Sequence, residues 1–241
     1  MADRSTALVS GANKGIGLEI ARGLGRLGYR VWLGSRDPER GAAAAAELRR
    51  GDIDARPLRL DVADDASVAA AAESLAGETD RLDVLVNNAG ISLGWNPPSE
   101  DTVANVRAIY EVNVFGVVRT TLAFLPLLRA SAVPRVVMIS SSLGSLAWAS
   151  NADAPMSHVN LLGYNSSKSA LNAVTLAFAK ELGPLGFKVN AGCPGYTATD
   201  LNGHQGPRTT AQGAAIGAHL ATLPADGPNG GFFDDDGIVA W

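Results

Sequence analysis

The chain has 241 residues, of which 46% are apolar and 18% charged, so intrinsic disorder is excluded. Its net charge of -4 offers no electrostatic footprint for nucleic acid or for an anionic membrane surface. A lone cysteine, Cys193, cannot build a disulfide framework, and three histidines without metal-ligand spacing predict no metal site.

Met1-Ala2-Asp3-Arg4 leads straight into an apolar strand-like run, which leaves no room for a signal peptide. No apolar run is expected to approach the roughly 18–20 residues of a membrane span. These bounds point to a cytoplasmic protein with no membrane or nucleic-acid partner. In chain order, short apolar runs at 6–10, 30–33, 55–60, 84–87, 136–140 and 188–193 read as strands. Most are continuous rather than alternating, as suits strands covered on both faces. Helical patterns at 15–27, 40–50, 66–76, 103–129 and 164–182 lie between them. Strict alternation implies parallel pairing with right-handed crossovers. The predicted fold is a doubly wound (Rossmann) α/β domain over 1–241, with about seven parallel strands and helices on both faces. Segments 143–163 and 195–210 carry Gly, Pro, Asn and Ser without a clear period. Each follows the C-terminal end of a strand, where open parallel sheets bind ligands. The tail from Gly227 to Trp241 is a candidate last edge strand.

The first strand runs into Ser10-Gly11-Ala12-Asn13-Lys14-Gly15-Ile16-Gly17. Glycines there allow a sharp turn and close approach to a pyrophosphate, whose charge would sit at the positive end of the next helix. A glycine-rich turn alone is weak, but this one lies directly between the first strand and the first helix. The second strand ends at Leu33-Gly34-Ser35-Arg36, where an NAD site usually places an acidic residue. Asp37 is displaced one place beyond. Arg36 and Lys14 together suit a 2′-phosphate, so NADP(H) is expected over NAD(H).

Tyr164 and Lys168 are four apart on a predicted helix and share a face. A nearby cation lowers the pKa of a phenol, and a tyrosine tuned that way could protonate an alkoxide oxygen. The strand 136–140 ends in Ser140-Ser141-Ser142, one of which could hold a substrate oxygen near the phenol. Asn113, polar amid an apolar run, is either a satisfied helix-bending residue or part of a proton relay.

Taken together, Ser10-Gly11…Gly15-Ile16-Gly17, Asp61-Val62, Asn87-Asn88-Ala89-Gly90, Asn113, Ser141, Tyr164…Lys168 and Pro194-Gly195 resemble the short-chain dehydrogenase/reductase family. Leu161-Leu162-Gly163-Tyr164 and Gly231-Phe232-Phe233-Asp234 look like its carbonyl-reductase-like branch. The resemblance implies a catalytic tetrad of Asn113, Ser141, Tyr164 and Lys168. In it Tyr164 is the acid/base, Ser141 orients the carbonyl, Lys168 binds the nicotinamide ribose, and Asn113 holds a water. Ser141 is preferred because the family serine commonly stands three places before a glycine, here Gly144. The resemblance further places Asp61 and Val62 beside the adenine, Asn88, Ala89 and Gly90 along the cofactor, and Pro194, Gly195 and Thr197 at its nicotinamide end.

The 22 residues between Ser141 and Tyr164 exceed the interval of many short members. Extra residues there can cover the helix face that the family uses to assemble. A homo-oligomer and a monomer therefore both stay open. Trp95, Trp148, Met156 and Tyr196 either line an apolar substrate pocket or pack the loops. The histidines read as structural and Cys193 as an inert buried thiol. No Gly-x-Ser-x-Gly elbow is present. The expected activity is NADPH-dependent reduction of a small, apolar ketone or aldehyde; the alternative is a non-catalytic NADP(H)-binding sensor or scaffold.

Overall fold

The computed structural model describes residues 4–241. Five strands alternate with helices through the first part of the chain. These are β1 (Thr6–Ser10), α1 (Gly15–Arg26), β2 (Arg30–Ser35), α2 (Pro38–Arg49), β3 (Ala55–Arg59), α3 (Asp65–Ala76), β4 (Val84–Asn87), α4 (Val103–Tyr110), α5 (Gly116–Arg129) and β5 (Arg135–Ile139). The second part adds α6 (Leu146–Ala149), α7 (Leu162–Leu182), β6 (Lys188–Gly192), α8 (Thr210–Ala221), β7 (Phe232–Asp234) and β8 (Gly237–Ile238). All eight strands form one sheet in the order β3-β2-β1-β4-β5-β6-β7-β8. Every pairing is parallel except β7 with β8. The order reverses between β1 and β4, and a crevice opens there above the C-terminal strand ends.

Alternate side chains of each strand feed two cores. Ala7 and Val9 of β1, with Val31 and Leu33 of β2, meet Ile20, Leu24, Leu48, Ile216 and Leu220 from α1, α2 and α8. Leu8 and Trp32 point to the other face, with Leu75, Val117, Phe124, Leu171 and Leu182 from α3, α5 and α7. Burial on both sides explains why these strands read as unbroken apolar runs.

The structure fills in the expected fold at two places and corrects one expectation. The tail supplies two strands, so the sheet has eight members, and β8 runs antiparallel. Helix α8 follows the segment 195–210, where the sequence pattern predicts no element, because its small residues make it apolar nearly all round. Gly217 in it lets α8 come close to α1, since a Cβ there would lie 2.6 Å from Ile20 Cδ1. The run 103–129 is one continuous helical rod with a π turn at Glu111–Phe115 between α4 and α5. By length and composition it could cross a membrane, contrary to the sequence expectation. Here it is a core helix, whose Val114, Val117, Thr120, Thr121, Phe124 and Leu128 are buried.

Candidate active site

Strand β1 delivers the glycine loop to the crevice. Gly11 and Gly15 hold φ of +63° and +60°, the left-handed region that glycine adopts without a Cβ penalty. Gly17 sits under Asn88, whose Nδ2 donates to the carbonyls of Ser10 (2.9 Å) and Gly11 (3.2 Å). Ser10 Oγ accepts from the N–H groups of Asn88 (3.0 Å) and Ala89 (3.1 Å). The segment after β4 is thereby fastened to the glycine loop. Sequence reasoning quoted Ser10 only as part of the motif; its hydroxyl is what ties the two strand ends together.

Helices α2 and α3 start with Asp37 and Asp64, each accepting two backbone N–H groups. Helix α1 starts at Lys14 with no side-chain cap. Its first-turn donors therefore stay available to an anion. Asp37 is spent on Glu39 N (3.0 Å), Arg40 N (3.1 Å) and an ion pair with Arg40, so it is not presented to a ribose. Arg36 is exposed and has no ion pair or hydrogen bond among the described residues. Lys14 is paired with Asp200, a partner 186 positions away that sequence reading missed. Asp61 Oδ1 accepts from Ala63 N (3.1 Å), and Val62 is buried against Gly116.

Helix α7 carries Tyr164 and Lys168 on one face, and Lys168 Nζ lies 5.7 Å from the Tyr164 ring centroid. Lys168 is only 4% exposed, and its Nζ donates to the carbonyl of Ile139 at 2.8 Å. Gly144 packs on this residue so closely that a Cβ would lie 2.6 Å from the Lys168 carbonyl carbon. Of the three serines, Ser140 donates to Asn172 Oδ1 (2.6 Å) and is committed to the core. Ser142 engages Cys193, whose Sγ accepts from its N–H at 3.2 Å. Ser141 is the one near enough to Tyr164 to act on its phenol, and its Oγ accepts from Leu143 N (3.2 Å).

Asn113 is fully buried in the π turn, where the widened backbone aims it at the strand end after β4. Its Oδ1 accepts from Ile91 N (2.8 Å), and its Nδ2 donates to Ile91 O (2.9 Å) and Ser167 Oγ (3.0 Å). Ser167, also missed, passes this contact into α7 by donating to Tyr164 O at 2.7 Å. A Cβ added to Gly90 would lie 3.4 Å from Asn113 Oδ1 and 3.6 Å from Lys168 Nζ, so all three share one spot. Every polar atom of Asn113 is satisfied, as a buried amide requires.

One electrostatic expectation fails. Burial pushes the Tyr164 phenol up to about 12, and the nearby Ser141 only partly opposes it. Burial also brings Lys168 down to about 8. The ammonium lies over the ring and bonds to a carbonyl, while desolvation acts on both groups. Burial thus favours the neutral form of each group, yet near pH 7 the phenol keeps its proton and Lys168, at about 8, remains mostly an ammonium.

Just after β6, Gly195 has φ of +68°, and Thr197 Oγ1 donates to Pro194 O at 3.0 Å. Trp148, with Trp241, packs against the cluster of Ala191, Cys193, Phe232 and Val239. Ala147 N donates to Trp241 O at 3.0 Å, which ties α6 to the tail. Trp95 is 58% exposed, and Leu93, Leu146 and Tyr196 also show apolar surface. Among the described residues no three His, Cys, Asp or Glu are grouped for a metal.

Known proteins match this architecture. The family model for short chain dehydrogenases matches residues 5–209. (+)-Neomenthol dehydrogenase of Arabidopsis thaliana is 33% identical over 282 residues, covering 94% of this chain and 95% of that protein. NADPH-bound carbonyl reductase from chicken fatty liver superposes with a TM-score of 0.87 at 28% identity, over 99% of this chain and 100% of that one. Salutaridine reductase from Papaver somniferum superposes with a TM-score of 0.83 at 30% identity, over 96% and 100%.

Proposed function

The chain belongs to the short-chain dehydrogenases, and from that premise we propose that it is an NADPH-dependent reductase of apolar ketones or aldehydes. The observation that carries this reading is the grouping of Tyr164, Ser141 and Lys168 at the sheet edge, with the ammonium over the phenol ring and the serine near enough to act on the phenol. The groove beside it fits a phosphorylated dinucleotide. α1 is uncapped, Arg36 is unpartnered among the described residues, and Asp37 is already engaged. Gly11, Asn13, Gly15, Ile16 and Gly17 would hold the pyrophosphate, with Lys14 and Arg36 on the 2′-phosphate. Asp61 and Val62 would flank the adenine, Asn88, Ala89 and Gly90 the middle of the cofactor, and Pro194, Gly195, Thr197 and Lys168 its nicotinamide end. When bound, NADPH supplies the hydride.

The protein's own residues do the rest. Ser141 donates to the carbonyl oxygen and holds it beside the phenol. Tyr164 gives that oxygen a proton as negative charge develops on it. A phenol held at about 12 is a stable proton store in the resting site. Lys168, brought down to about 8, can exchange a proton near neutral pH and so return one towards the phenol. Asn113 braces α7 through Ser167 and keeps Tyr164 in register.

The test is NADPH oxidation at 340 nm with a panel of apolar ketones. Wild type should turn over, and Tyr164→Phe should abolish turnover while dinucleotide binding persists. Tight NADPH binding without turnover of any ketone would instead assign a sensor or scaffold.

A further inference from the structure

Lys14 and Arg36, the two cations proposed for the 2′-phosphate, are in different states. Arg36 is unpartnered among the described residues, whereas the Lys14 ammonium is held by the Asp200 carboxylate. Asp200 sits near the tip of a loop that folds on itself. Thr197 pairs with Arg208, and Ala198 N donates to Arg208 O at 2.9 Å, closing the loop at its base. Inside it Asn202 Nδ2 donates to Thr197 O (2.9 Å), and Asn202 Oδ1 accepts from Thr199 N (3.1 Å). The base is fixed in turn: Arg208 pairs with Asp235 and donates to Gln212 O at 2.9 Å. Its side chain lies on Gly195, where a Cβ would come 2.8 Å from Arg208 Cδ. His204 Nε2 lies 2.8 Å from the other Asp200 oxygen and helps to aim that carboxylate. A loop braced in this way presents Asp200 to the glycine loop at a set position.

We propose that Asp200 is a specificity-determining residue for the cofactor: its carboxylate occupies Lys14 in place of a 2′-phosphate and yields the ammonium when NADPH enters. The inference rests on the NADPH reading above. Two anions compete for one cation, and the carboxylate close to a doubly charged phosphate is repelled by it. NADH has no 2′-phosphate, makes no claim on Lys14 and leaves the pair closed. Loop 197–208 is thus tied across the groove in the absence of the phosphate and released in its presence.

The experiment is titration of intact protein with NADPH and with NADH, followed by dinucleotide fluorescence. It compares wild type, Asp200→Asn, Lys14→Met and the double variant. Asp200→Asn should tighten NADPH about threefold, the scale of a half-exposed ion pair, and leave NADH unchanged. Lys14→Met should weaken NADPH, and in the double variant the Asp200→Asn gain should vanish. A purely structural role for Asp200 would shift both dinucleotides alike and persist without Lys14, and either result overturns the proposal. So does weaker NADPH binding by Asp200→Asn. If wild type prefers NADPH but Asp200→Asn changes nothing, this inference alone falls. If wild type does not distinguish the two dinucleotides, the cofactor reading falls and takes the inference with it.

Discussion

Ser141, Tyr164 and Lys168 ride on elements that the sheet holds from several sides, whereas Leu93, Trp95 and Tyr196 on loops and Leu146 on the short α6 leave apolar surface open. The first group is packed to the limit: Gly144 leaves no room for a methyl beside Lys168, and Asn113 has every polar atom engaged. Trp95 and Leu146, at 58% and 68% exposure, have room to move. The difference separates two tasks. On the function proposed above, chemistry that tolerates little misplacement is built on the sheet edge, and substrate selection is left to surfaces that can change cheaply.

Perturbing the packed side should cost most. Ser141→Ala should lower kcat about 10²-fold while NADPH affinity holds, measured by steady-state kinetics and binding titration. Equal loss of cofactor affinity would show that the serine shapes the groove instead. Gly144→Val should destabilise the fold by about 1–3 kcal/mol in urea melts, because its methyls meet the Lys168 backbone.

The buried ammonium makes a signed prediction with pH. Lys168 titrates at about 8 in the folded chain, below its ordinary 10.5, so the unfolded chain binds more protons between those values. Stability should therefore rise as pH climbs from about 8 towards 10.5. Lys168→Met should flatten that rise in Tm. Above pH 10 the raised Tyr164 acts oppositely: the unfolded chain loses the phenolic proton first, and stability falls towards about 12. On the open side, Trp95→Ala should raise KM several-fold for bulky apolar ketones and spare small ones. Stability there should move by less than about 0.5 kcal/mol. A large Tm loss would place Trp95 with the packed residues.

Much of the packed side was legible in the residues. Strands buried on both faces announce themselves as apolar runs, and Tyr164 and Lys168 share a face by helical spacing alone. The choice among Ser140, Ser141 and Ser142 was not legible from the residues alone, because it depends on Asn172 and Cys193 claiming the outer two. Helix α8 escaped notice because Ala and Gly give it no polar stripe. The π turn adds one residue to a turn, which no periodicity reveals, yet it is what aims Asn113. The state of Tyr164 was misjudged because charge was weighed and burial was not. Lys14 and Asp200, far apart in the chain, meet only once β6 has been placed.

The two rims of the sheet carry a last lesson. At one end β3 contains Pro57, which has no N–H to offer, between Arg56 and Arg59. At the other, β8 is only two residues long and follows the acidic turn Asp234-Asp235-Asp236. Neither rim presents a long, uncharged ladder to which a stray strand could add. The same features that end the sheet therefore protect the concentrated protein against fibre growth, and Pro57→Val would remove part of that guard.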